Sequence, residues 1–193
     1  ILYPPVANIS APKQANISEK VFFIGNQSTD PDGIIVEYKW DFDNDGETDY
    51  TTENVNYTFN TTGIHNVTLT VEDDSGLLDS ITHQIKIVQY PIAKINTTWG
   101  NTGFIDDNKQ QKLRFCANES YDPDGTITGY RWDFNIHDNK SWDTKWLNST
   151  VNHFAWNYSK TGNYTIKLQV TDNDNLTSID FFNITILNTS KEL

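Results

Sequence analysis

Aspartates at every second position mark the stretch of this 193-residue chain best spaced for chemistry: Asp41-x-Asp43-x-Asp45-Gly46-x-x-Asp49. Alternate carboxylates around a glycine that permits a sharp turn suit the oxygen-rich shell of Ca²⁺. The expected ligands are Asp41, Asp43, Asp45, the backbone carbonyl of Glu47, and Asp49. The stretch lacks the later bidentate Glu of an EF-hand loop. A solvated acidic hairpin, with Asp41 bonded to turn amides, is therefore the competing reading.

The other chemistry-bearing residues have plainer readings. Asp30, Asp32, Asp73 and Asp74 fall in two segments rich in turn residues, as do Asp122, Asp124, Asp172 and Asp174. Asx-turns use the same residues, so turn geometry is preferred over a second ion site. His65 and His83 stand where the other half of the chain has Tyr164 and Phe182, which favours core or rim packing over a transition-metal pair. His137 and His153 have no partner motif. Trp40, Trp132 and Trp156 read as core. Trp99, Trp142 and Trp146 lie in loops, where they either close an end of a sandwich or stack on sugar rings. Nucleophile elbows, zinc-protease helices and phosphate-binding glycine loops are all missing, so no catalytic activity is expected.

Fifteen of the 22 asparagines sit in Asn-x-Ser/Thr with x not Pro. They are Asn8, Asn16, Asn26, Asn56, Asn60, Asn66, Asn96, Asn118, Asn139, Asn148, Asn157, Asn163, Asn175, Asn183 and Asn188. Chance pairing with the chain's Ser and Thr would give about four. The excess indicates an extracellular, heavily N-glycosylated chain. A net charge of −12 argues against nucleic acid and anionic membrane surfaces, which need clustered Lys and Arg. No apolar run approaches the length of a membrane span, so direct membrane insertion is not expected. The single Cys116 excludes an internal disulfide and reads as a packed small residue. The chain has no Met and reads as a mature or excised segment.

These residues must be positioned by strands. Val67, Leu69 and Val71 alternate with Asn66, Thr68 and Thr70; Ile166, Leu168 and Val170 alternate with Thr165, Lys167 and Gln169. A period of two puts one row on a core and the other in solvent. Asp-Pro-Asp-Gly, Thr-Gly and Asp-Asp-Ser-Gly mark strand ends, and no segment has a helical period. The segment from Ser28 to Phe42 recurs at Ser120 to Phe134, 92 residues on. The offset is 86 near Pro5 and 99 near Gly63, so the second copy carries two loop insertions, near 99–111 and 136–150. The expected organisation is two tandem domains, 1–88 and 89–193, joined by a short stiff connection as a semi-rigid rod.

The order Phe, Ser-x-Asp-Pro-Asp-Gly, Tyr-x-Trp-Asp-Phe, Thr-Gly-x-x-x-hydrophobic-x-Leu-x-Val and Asp-x-x-x-Leu resembles the PKD (polycystic kidney disease) domain in both copies. The resemblance implies two immunoglobulin-like, all-β sandwiches. It also implies a non-catalytic module of prokaryotic surface proteins, surface layers or secreted hydrolases. The usual Trp-Asp-Phe-Gly-Asp-Gly is altered here: the first copy continues Asp43-Asn44-Asp45-Gly46 and the second Asn135-Ile136-His137-Asp138. Ca²⁺ is accordingly expected in the first copy only. Together these readings favour a spacer or coat segment, most simply archaeal, whose partners are N-linked glycans and neighbouring domains or subunits. A binding module of a secreted hydrolase, or a calcium-stiffened adhesin, is the alternative.

Overall fold

A computed structural model describes residues 2–97, 100, 102–105, 111–138 and 141–188. Every regular element among them is a strand. The chain divides into two compact units, Ile1–Gln89 and Tyr90–Leu193, each with its own hydrophobic cluster. The all-β expectation holds.

The first unit contains β1 (Gln14–Asn16), β2 (Lys20–Ile24), β3 (Ile35–Asp41), β4 (Asn54–Thr58), β5 (Gly63–Asp73) and β6 (Leu78–Val88). One sheet has the order β1-β6-β5-β3, and β2 pairs with β4 in the other. The alternation of β5 is realised in full. Val67, Leu69 and Val71 are buried, whereas Asn66 is exposed and Thr68 and Thr70 lie on its side. That outer row is knitted by hydroxyl pairs, Thr68 to Thr82 at 3.0 Å and Thr70 to Ser80 at 2.8 Å. Inside, Trp40, Phe42 and Phe23 are all but inaccessible. Each such side chain contributes about 1.5–3 kcal/mol by leaving water.

The second unit contains β7 (Asn96–Thr97), β8 (Thr102–Ile105), β9 (Gln111–Cys116), β10 (Ile127–Asp133), β11 (Leu147–Asn148), β12 (His153–Tyr158), β13 (Gly162–Asp172) and β14 (Thr177–Asn188). Its sheets run β11-β10-β13-β14-β8 and β12-β9-β7. Trp132, Phe134 and Phe115 occupy the core places of Trp40, Phe42 and Phe23.

Two pairings are not written in the alternation. β1 runs parallel to β6, with Gln14 opposite Lys86, and β8 runs parallel to β14, with Thr102 opposite Thr185. Parallel edges are brought together by the chain's path and carry no local turn signal. The second insertion also does more than lengthen a loop, since it supplies β11 to the open side of β10. Among the described residues no strand lies on the corresponding side of β3. Beyond β5, among the described residues, β3 makes one isolated bridge, Trp40 to Tyr50.

Candidate functional site

The turn after β3 brings together three of the five residues expected at an ion. Carboxylate oxygens of Asp41, Asp43 and Asp49 lie within 4.8 Å of one another. The Asp45 carboxylate falls outside this group, so four carboxylates do not converge as expected; the expected contribution of Glu47 is its backbone carbonyl, not its side chain. The physical reason is visible in the turn's hydrogen bonds. Asp45 Oδ1 accepts the Glu47 amide at 2.8 Å, so that carboxylate serves the next bend. Asp41 accepts amides with both oxygens, from Asn44 at 2.6 Å and Gly46 at 3.0 Å. Asp49 Oδ2 accepts the Phe42 amide at 2.7 Å.

The second unit tests what these bonds are for. Asp143 Oδ2 accepts the Phe134 amide at 2.8 Å, and Asp133 Oδ1 accepts the Asn135 amide at 3.0 Å. The turn is thus held by the same two acids where the acidic alternation is lost. Asp41 and Asp49 therefore have a structural role of their own, and Asp43 is the carboxylate special to the first unit. Its pKa is raised, first by lost hydration and then by the Asp45 charge. Asp133 is raised as well, chiefly by burial.

At the other pole Asp73 and Asp172 are buried and organise the hairpins. Asp73 Oδ1 accepts amides from Ser75 at 2.8 Å and Leu77 at 2.9 Å; Asp172 Oδ1 does the same for Asp174 and Leu176. Each has a second oxygen that is buried without a hydrogen-bond partner. At Gly33 a β-carbon would meet Asp74 Oδ1 and Asp30 Oδ2, so a side chain there would displace these carboxylates. The repeat of these contacts at Gly125, against Asn173 and Asp122, fits the turn-geometry reading.

The histidines do not form a pair of ligands. His65 lies opposite Ile85 and His83 opposite Val67, which makes them diagonal on one face. His65 Nε2 bonds the Thr61 carbonyl at 2.9 Å, and His83 Nε2 the Pro12 carbonyl at 3.0 Å. Tyr164 Oη donates to the Lys160 carbonyl at 3.0 Å, so the tyrosine fills the place and the role of His65.

Trp142 and Trp146 form a feature that sequence reasoning named only as loop aromatics. Both rings contact the Arg131 guanidinium, at 4.0 and 4.6 Å, and Lys167 Nζ lies 4.3 Å from the Trp142 ring. Arg131 Nε donates to Gln169 Oε1 at 2.7 Å. Cation–π contacts of this kind are worth about 0.5–2 kcal/mol each. Trp146 is exposed and Trp142 half-buried. Trp99 lies outside the described residues.

Asparagines of the sequons lie at the surface. Asn8, Asn26, Asn56, Asn60, Asn66, Asn118, Asn148, Asn157, Asn163, Asn175, Asn183 and Asn188 are exposed, while Asn16 and Asn96 are half-buried. Asn139 lies outside the described residues. Two sequons face each other across β13 and β14: Thr165 Oγ1 donates to Asn183 Oδ1 at 2.7 Å, and Thr185 Oγ1 to Asn163 Oδ1 at 2.9 Å.

Comparison with known proteins gives these features a setting. A family model for the PKD domain matches residues 3–88 and again 102–186. Collagenase ColA of Clostridium perfringens is 34% identical over 109 residues, which are 56% of this chain and 10% of that protein. This chain thus spans about a tenth of that relative's length. The PKD1 domain of the Vibrio cholerae metalloprotease PrtV is 35% identical, with a TM-score of 0.38 over 44% of this chain and 98% of that one. The titin I-band fragment I67–I69 is 14% identical with a TM-score of 0.57, covering 97% of this chain and 67% of the fragment, a likeness of fold alone.

Proposed function

The chain belongs to the PKD-domain family, and from that premise we propose that it is a non-catalytic spacer and contact segment of an extracellular, heavily N-glycosylated surface or coat protein. The observation that carries this reading is the sequon pattern. Fifteen acceptor sites occur in the chain, and every described one lies at least partly in solvent. Strand positions such as Asn66, Asn163 and Asn183 use the outward row, so glycans there are compatible with the packed core. High sequon density without disulfides supports an archaeal cell surface as the source.

Intact mass is the test. This segment released from native material is expected to weigh well above 22.1 kDa and to return to that value when N-glycans are removed. A bare polypeptide mass in native material would refute the glycosylated-coat reading. It would favour the second reading, an accessory module of a hydrolase, which the match to a collagenase supports.

Calcium in the first unit is proposed at Asp41, Asp43 and Asp49. The lone pairs not used by turn amides, above all on Asp43, would serve the ion. The Asp43 pKa is raised first by lost hydration and then by neighbouring acids, and a bound cation would relieve that repulsion. At free Ca²⁺ 100-fold above its Kd, the stabilisation of the first unit is expected to be about 2.7 kcal/mol. Melting with Ca²⁺ and with chelator reads this directly. Asp43→Ala should abolish the difference, and an equal midpoint with and without chelator in the unmodified chain would end the proposal.

A further inference from the structure

The two units finish the same sheet edge differently. In the second, the insertion supplies β11, which lies antiparallel beside β10 with Leu147 opposite Tyr130 and Asn148 opposite Gly129. In the first, the corresponding residues are Tyr38 and Glu37 on β3, and no strand among the described residues pairs with that side of them. In its place is a solvent-open groove of about 910 Å³, lined by 35–38 of β3 and by 51–54.

The groove is equipped for a strand. Trp40 turns its polar groups away from β5: its N–H donates to the Tyr50 carbonyl at 2.9 Å, and its carbonyl accepts the Asp49 amide at 2.8 Å. Antiparallel ladders alternate, so the N–H and C=O of Tyr38 point to the same open side. Ile34 and Val36 are 65% and 55% exposed on this stretch, where the second unit has Thr126 and Thr128. The unit that lacks its own covering strand thus carries the apolar side chains. None of the groove residues is the asparagine of a sequon, so glycans elsewhere leave the groove lining itself unmodified.

The residues also select the occupant. Glu37 and Glu53 line the groove. A second copy would bring the same two acids to the same edge, and like charges facing each other across strands disfavour that pairing. A β-carbon at Gly129 would stand 3.1 Å from the Leu147 carbonyl oxygen and 3.4 Å from the Trp146 ring. Glu37 has that β-carbon, so an incoming strand must sit slightly further out and carry a small residue in place of the indole. We propose that the β3 edge of the first unit is a strand-docking site. An extended segment of another polypeptide pairs there antiparallel, with an aliphatic residue opposite Tyr38, a small residue beside Glu37 and neutral or basic flanks. This inference does not depend on the glycosylated-coat reading.

The experiment uses the full unglycosylated chain and a synthetic peptide of residues 144–150 carrying Trp146→Ala. Amide resonances of 34–38 and 51–54 are expected to shift saturably. Exchange of the Tyr38 amide should slow about tenfold when the peptide is at about ten times its Kd. Changing Leu147→Asp in the peptide should abolish saturation, and Val36→Lys in the protein should weaken binding about tenfold with its melting unchanged. No shifts, shifts confined to other residues, or indifference to Leu147→Asp would overturn the proposal. So would concentration-dependent self-association that Val36→Lys removes, since the occupant would then be a second copy.

Discussion

Trp40→Ala is expected to lower the stability of the first unit by about 3–5 kcal/mol and to leave the melting of the second unit in place. Trp40 is fully buried, stacks on Phe42 at 5.8 Å and meets the edge of Phe23 at 6.1 Å. Its Nε1 donates to the Thr52 carbonyl at 2.9 Å. Alanine leaves a cavity among aromatic rings that cannot collapse onto it, and it orphans the carbonyl as well. Calorimetry of the whole chain reads the result as one displaced transition and one fixed transition, because the two hydrophobic clusters share no residue. A shift of both transitions together would show that the units do not unfold separately. The comparison Trp40→Phe against Trp132→Phe refines the test. Trp132 Nε1 is buried without a partner, so its loss costs no hydrogen bond, and the first change should be the more damaging.

Gly25→Ala carries the second large effect, and the repeat explains why. A β-carbon at Gly25 would stand 2.7 Å from the Glu53 carbonyl oxygen, 2.7 Å from Trp40 Cζ2 and 3.0 Å from Leu69 Cδ2. The glycine is what lets the indole lie against the backbone and reach Thr52. In the second unit the same position is Ala117, fully buried, and there the indole nitrogen has no partner. Alanine at 25 should therefore push Trp40 away and break its hydrogen bond. The expected cost is about 2–4 kcal/mol, from overpacking of about 1–3 and a lost hydrogen bond of about 1. Chemical denaturation measures the loss, and exchange of the Trp40 indole proton reports the broken bond. A change below about 0.5 kcal/mol would mean that the backbone at Glu53 yields freely, contrary to its bond from the Gly25 amide at 3.0 Å.

Much of the fold was legible because a strand with one buried face repeats every two residues. β5 and β13 could be read almost to their ends, and so could the turns at Asp73 and Asp172. Turn residues act locally, and the sequence is local information. The short edges β1, β8 and β11 were not legible. Each is defined by what it lies beside, and two to four residues carry too little pattern to announce a partner. The candidate ion site shows the same limit. Alternate aspartates predicted convergence, yet Asp45 turns to an amide while Asp41 and Asp49 converge. The turn-amide reading already offered for Asp41 extends to Asp49, and Asp133 and Asp143 make comparable bonds in the second unit. Asp143 stands nine residues after Phe134 and Asp49 seven after Phe42, so the longer second-unit turn hides their equivalence in the sequence.

The crossed Thr–Asn bonds between β13 and β14 have a consequence for decoration. An N-linked sugar replaces a hydrogen on Nδ2, whereas both bonds end on Oδ1, and a substituted amide keeps its carbonyl. Each rung therefore survives the attachment made beside it. The protein can be dressed without being loosened, and the threonine of each sequon steadies the asparagine of the facing one.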